Sequence, residues 1–152
     1  MKKRCLLLLT VCLPCLFIGA YTNGQAAEKT SAWVYYGKTG YGDYYYDKNS
    51  LAKVGPQVIK VGNKIKYSED GRDRALRERK AGNQPLAGWE RLDYTLSFNE
   101  LNCLKKTIRT VKVTDFNDQG KIIEDFDFER PQTEQIIPES MNDSLLKLAC
   151  PK

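Results

Sequence analysis

The chain has 152 residues, 41% hydrophobic and 28% charged, with 24 basic side chains, 19 acidic ones and no histidine. The missing histidine excludes Ser-His-Asp and Cys-His catalysis, the usual general base near neutral pH and the commonest metal ligand, so no cofactor is expected and the chain reads as non-enzymatic. Three of the basic residues are Lys2, Lys3 and Arg4; without them the net charge is +2 (24 − 3 − 19), which offers no footing for nucleic acid.

Those three cations precede an apolar stretch from Cys5 to Ala20 and then the small residues Gly24, Ala26 and Ala27. A positive start, a short apolar core and a small-residue exit read as a secretory signal peptide over residues 1–26. The remainder, 27–152, is then one domain of about 126 residues (152 − 26), enough for a single core. The apolar stretch is short for a membrane span and is interrupted by Pro14, so no integral span is expected in the mature chain. Cys12 follows Val11 and Cys15 follows Pro14, which disfavours lipid anchoring at either cysteine. The expected location is the periplasm, the cell surface or the medium. In such oxidising surroundings the remaining thiols, Cys103 and Cys150, are expected to form a disulfide. Closing so long a loop contributes about 4 kcal/mol in the chain-entropy picture. A redox-active pair is the rival reading, but such pairs usually sit together as Cys-x-x-Cys.

From Trp33 the chain reads as strands. Trp33 to Tyr36 and Asp43 to Asp47 are aromatic runs separated by the turn residues Gly37 to Gly42, which predicts a hairpin. Val58 to Ser68 places Ile59, Val61, Ile65 and Tyr67 on one face and Lys60, Lys64 and Lys66 on the other. Gly62-Asn63 is either interior to that strand or a two-residue turn dividing it. Glu69 to Lys80 is rich in helix formers, with Asp70/Arg74 and Asp73/Arg77 spaced i, i+4, and Gly82 to Pro85 ends it. Leu92 to Cys103 alternates Leu92, Tyr94, Leu96 and Phe98 with Asp93, Thr95 and Ser97. Thr107 to Phe116 and Lys121 to Phe128 flank the turn Asn117 to Gly120. Ser140 to Leu148 has Met141, Leu145 and Leu148 at helical spacing, with Ser140 able to cap it. The expected fold is α+β: a single antiparallel β-sheet of about six strands covered by a C-terminal helix, with one polar helix inserted midway.

The candidate binding residues follow from composition. Tyr35, Tyr36, Tyr41, Tyr44, Tyr45 and Tyr46 crowd into twelve positions, and strand alternation leaves about half facing outward. Tyr35, Tyr41 and Tyr45 therefore form a candidate protein-binding or dimer surface, against the plainer reading that aromatics favour cross-strand pairing. Arg74 and Arg77 on the polar helix are candidate contacts for an acidic partner, although the interleaved acids suit a self-paired, solvated face. The acids around Asp115 to Glu129 fail the calcium-loop pattern, because Phe126 stands where a bidentate Glu is required. A carboxylate-based hydrolase is the distant alternative.

Taken in order, several segments resemble the surface-adhesin protein E family. They are Trp33, Tyr44-Tyr45-Tyr46-Asp47 with Ser50, the strand leading into Tyr67-Ser68-Glu69-Asp70-Gly71, Asn102-Cys103, the Asp115 to Gly120 hairpin, and Ile137-Pro138-Glu139-Ser140 through Leu145-Leu146 to Cys150. The resemblance implies an antiparallel sheet crossed by a helix and joined to it by a disulfide. It also implies an exported adhesin that contacts extracellular matrix or plasma proteins and can form a homodimer. The namesake's link to plasminogen, whose kringles take terminal lysines, makes Lys152 a candidate. Gly62-Asn63 stands where strands of the family often carry tryptophan. A periplasmic structural or envelope-stress component with no external ligand is the competing class.

Overall fold

In the computed structural model, which describes residues 32–150, the strand-forming segments pair into one antiparallel sheet. The expected leader and Lys152 lie outside the described residues. The sheet's path is β1 (Trp33–Thr39), β2 (Gly42–Asp47), β4 (Val58–Tyr67), β5 (Leu92–Asn102), β6 (Thr107–Asn117) and β7 (Ile122–Asp127). Two short strands, β3 (Ala52–Gly55) and β8 (Glu134–Gln135), pair with β4 and β6. The helices are α1 (Glu69–Ala81) and α2 (Met141–Ala149). The expected α+β architecture is the observed one.

Strand β4 fixes the two faces. Its lysines point away from the helices, while Val61 packs under α2 with Leu101, Ile108, Leu145 and Leu146. Tyr67, an even number of residues further on, packs under α1 with Ala75, Trp89 and Leu92. Both helices therefore lie on one face of the sheet. Gly62-Asn63 is no turn: β4 runs straight through it, and Asn63 pairs in register with Ser97 of β5.

The alternation in β5 departs from its apolar pattern. Thr95, Ser97, Asn99 and Leu101 face the helices, whereas Tyr94, Leu96 and Phe98 lie on the other side with the β4 lysines. Leu92 does not share the side of Tyr94. An irregularity in register between the two returns Leu92 to the helix side, where it is fully buried.

Local chemistry sets the helix ends. The Ser68 side chain accepts from the Gly71 amide at 3.1 Å and caps α1, and Ser140 does the same for α2 through Asp143 at 3.2 Å. Helix α1 abuts the β1–β2 turn so closely that a Cβ on Gly71 would sit 1.9 Å from the Tyr41 carbonyl oxygen. The ion pairs expected at Asp70/Arg74 and Asp73/Arg77 do not form. Arg74 instead bonds Glu78 at 3.1 Å, because Tyr41 lies against both of those side chains. Cys103 and Cys150 are bonded, with Cα atoms 5.7 Å apart, and tie the end of α2 to the loop after β5.

Candidate functional site

The face of the sheet opposite the helices is uncovered among the described residues. Register builds a continuous surface there. Tyr35 stands opposite Tyr45, Tyr45 opposite Lys64, and Lys64 opposite Leu96, across β1, β2, β4 and β5. Trp33, Lys66, Asp93 and Tyr94 complete a depression of about 600 Å³ around them. Tyr35 is 55% exposed and Phe98 is 38% exposed, so large apolar area meets solvent.

Lysines are threaded among the rings. The Lys64 ammonium lies 4.6 Å from the Trp33 ring centre and 5.1 Å from that of Tyr45, and Lys60 lies 5.3 Å from Phe98. Such contacts are worth about 0.5–1 kcal/mol each at exposed sites. Partial burial holds the Lys64 ammonium below its ordinary pKa; Lys66 pushes the same way and Asp93 opposes. Lys66 is ion-paired to Asp93. Tyr35 and Tyr45 meet edge to face at 5.7 Å, and Tyr94 stacks on Phe116 at 4.6 Å. The arrangement offers rigid aromatic area with cations that already sit on ring faces. It can bind a surface or peptide.

The sequence-selected residues separate into two places. Tyr35 and Tyr45 meet on the open face. Tyr41 and Arg74 meet at the rim of α1, where the Tyr41 hydroxyl donates to Glu78 at 2.8 Å and the Arg74 guanidinium lies 4.5 Å from the ring centre. The hydrogen bond to Glu78 raises the Tyr41 phenol above its ordinary pKa, and Arg74 opposes that shift. Arg77 is exposed on α1, away from the open face, and Lys152 lies outside the described residues. Sequence reasoning did not reach Trp33, Lys64, Tyr94, Leu96 and Phe98. The lysine alternation of β4 marks the open side, but only the register shows which β5 residues share it.

A single antiparallel sheet with both helices on one side and an aromatic opposite side defines a one-sided sheet-and-helix domain. A family model described as surface-adhesin protein E matches residues 33–151, and the chain belongs to that family. It is similar to the crystal form II structure of Haemophilus influenzae protein E, with a TM-score of 0.45 and 14% identity over 75% of this chain and 89% of that one. The selenomethionine form of the same protein gives a TM-score of 0.46 and 13% identity, covering 78% of this chain and 92% of that one. Protein E from non-typeable Haemophilus influenzae gives 0.43 and 12%, covering 80% and 84%. No curated protein sequence matches the chain.

Proposed function

We propose that this chain is an exported, non-enzymatic adhesin-like binding protein whose open sheet face contacts extracellular matrix, plasma or envelope proteins. Residues 1–26 are its leader and residues 27–152 its single mature domain. The supporting observation is the facing of β5: Tyr94 and Leu96, half-buried, and Phe98, exposed, stand on the open side with Trp33, Tyr35 and Tyr45, while Thr95, Ser97 and Asn99 stand on the helix side. Aromatic side chains exposed where polar ones would lower the cost of hydration are the mark of a contact surface. Family membership supports an adhesin-like role, and the choice of matrix and plasma proteins as partners rests on the resemblance. Tyr41 and Arg74 at the α1 rim belong to a second, more polar contact zone, to which Arg77 adds charge.

Binding of the leader-processed protein to immobilised matrix and plasma proteins, with Tyr35→Ala/Tyr45→Ala beside it, tests the reading. The double variant is expected to lose about tenfold or more in affinity, since a buried aromatic anchor contributes upward of 1 kcal/mol. Undiminished capture by the variant would remove the open face from the function. Protease accessibility on intact cells separates a surface adhesin from a periplasmic component. The oligomeric state of the two proteins tells whether the same face joins two copies.

A further inference from the structure

On the helix-covered face, the strip of sheet between α1 and α2 is polar. Asn63, Ser97, Asn99 and Thr110 adjoin on β4, β5 and β6 and share one hydrogen-bond chain. Ser97 Oγ donates to Asn63 Oδ1 at 2.6 Å, Asn99 Nδ2 donates to the same oxygen, and Thr110 Oγ1 donates to Asn99 Oδ1 at 2.8 Å. The Tyr36 hydroxyl also bonds Asn63. Asn63 and Asn99 are only 8% and 3% exposed. Beside the N-terminal end of α2 the strip carries a slot of about 380 Å³, walled by Ser140, Met141 and Asn142.

The lining of the slot selects a ligand chemistry. No lysine or arginine lines it, in a chain with 24 of them, and its single carboxylate is the exposed Glu134. An anion therefore finds no counter-charge there. The floor offers the Ser97 and Thr110 hydroxyl oxygens, which can still accept, beside amides of Asn63 and Asn99 that are held by their own hydrogen bonds, and the walls offer apolar area from Tyr44, Ile65, Ile108 and Met141. A sugar ring carries the matching pair of surfaces: hydroxyl edges and an apolar C–H face. The volume lies within the range of small-ligand sites and suits one or two rings.

We infer that the slot beside the N-terminal end of α2 is a binding site for a neutral saccharide, read by the Ser97 and Thr110 hydroxyls that the Asn63 and Asn99 amides hold in place. It lies on the opposite side of the sheet from the proposed protein-contact surface, so the two readings stand or fall separately.

Amide and side-chain NMR shifts of the isotope-labelled, disulfide-bonded protein test this, with maltotriose, chitotriose and a sulfated heparin disaccharide as separate titrants. Saturable shifts at Asn63, Ser97, Asn99 and Thr110 with at least one neutral sugar are expected. Binding by chitotriose alone would mean that acetamide groups are read as well as hydroxyls. Thr110→Val is expected to weaken binding about tenfold by removing one hydrogen-bonding group. Asn142→Trp, which is exposed at the mouth of the slot and spares the floor, is expected to abolish binding while the fold is retained. No saturable shift with either neutral sugar, shifts confined to the open face, preference for the sulfated probe, or unchanged binding by Asn142→Trp would each overturn the inference.

Discussion

Asp115 is the least comfortable charge in the molecule. It sits on the helix-covered side of β6, 6% exposed, and accepts from the Thr95 hydroxyl. Burial raises its pKa above the ordinary carboxylate value, with Glu124 adding to the shift, and the Thr95 bond and Arg79 oppose it. The sign of the linkage follows. Between the unfolded pKa of about 3.9 and the higher folded value the native state holds a proton that the unfolded chain has released. The native state is thus favoured below that window, and its stability falls as pH rises through it. Asp115→Asn keeps an acceptor for Thr95 and removes the titration. Urea unfolding compared from acid to neutral pH is expected to show the decline in the parent protein and its absence in the variant, which is then at least as stable at neutrality. Parallel pH profiles for the two proteins would contradict this.

At the level of elements, the joint between α1 and the β1–β2 turn places the rim residues. The backbone of Ser68 donates to the Tyr41 carbonyl at 3.0 Å, and the adjoining first turn of α1 has space there only for a glycine. Gly71→Ala would push a methyl into that carbonyl, so helix or turn must move. Overpacking of this kind costs about 1–3 kcal/mol. The substitution is expected to lower the unfolding free energy by that amount and to break the Tyr41–Glu78 hydrogen bond, which tyrosine ultraviolet titration would follow as a fall in the Tyr41 phenol pKa. A fully stable variant with an unaltered titration would mean that the joint yields easily. Such close approaches explain which parts of the fold were legible from sequence. Helix α1 declared itself by its composition and its Gly82 to Pro85 stop, and β4 by lysines alternating with Ile59, Val61, Ile65 and Tyr67. Strand β5 did not, because alternation shows that two faces exist without showing which is covered. Apolarity favours the wrong one there, with Tyr94, Leu96 and Phe98 turned outward. Asn63 raised doubt about a strand interior for a related reason: its partners, Ser97 and Asn99, lie more than thirty positions away. Tyr35 and Tyr45 were found from local crowding alone. Lys64 was not singled out, since its two rings come from β1 and β2.

Across the whole molecule the helix side holds two small cores instead of one. The first gathers Val61, Leu101, Ile108 and Ile136 beneath Leu145 and Leu146 of α2; the second gathers Tyr67, Trp89 and Leu92 beneath Ala75 of α1. The polar strip lies between them, so neither core lends the other much apolar contact. Helix α2 is nine residues long, too short to persist by itself in water. The Cys103–Cys150 bond closes a loop with a sequence separation of 47, which in the chain-entropy picture contributes about 4 kcal/mol. For a domain whose total margin is about 5–15 kcal/mol, that contribution decides whether the first core survives. In Cys103→Ser/Cys150→Ser, unfolding by denaturant is expected to require about 4 kcal/mol less. Hydrogen exchange is expected to be uneven: amides of α2 and of the first half of β6 lose protection first, while those of α1 and the C-terminal end of β4 keep theirs. The fluorescence of Trp89, seated in the second core, should then report a transition later than the loss of helix α2. A single coincident transition, with protection lost evenly on both sides of the polar strip, would show that the two cores fold as one.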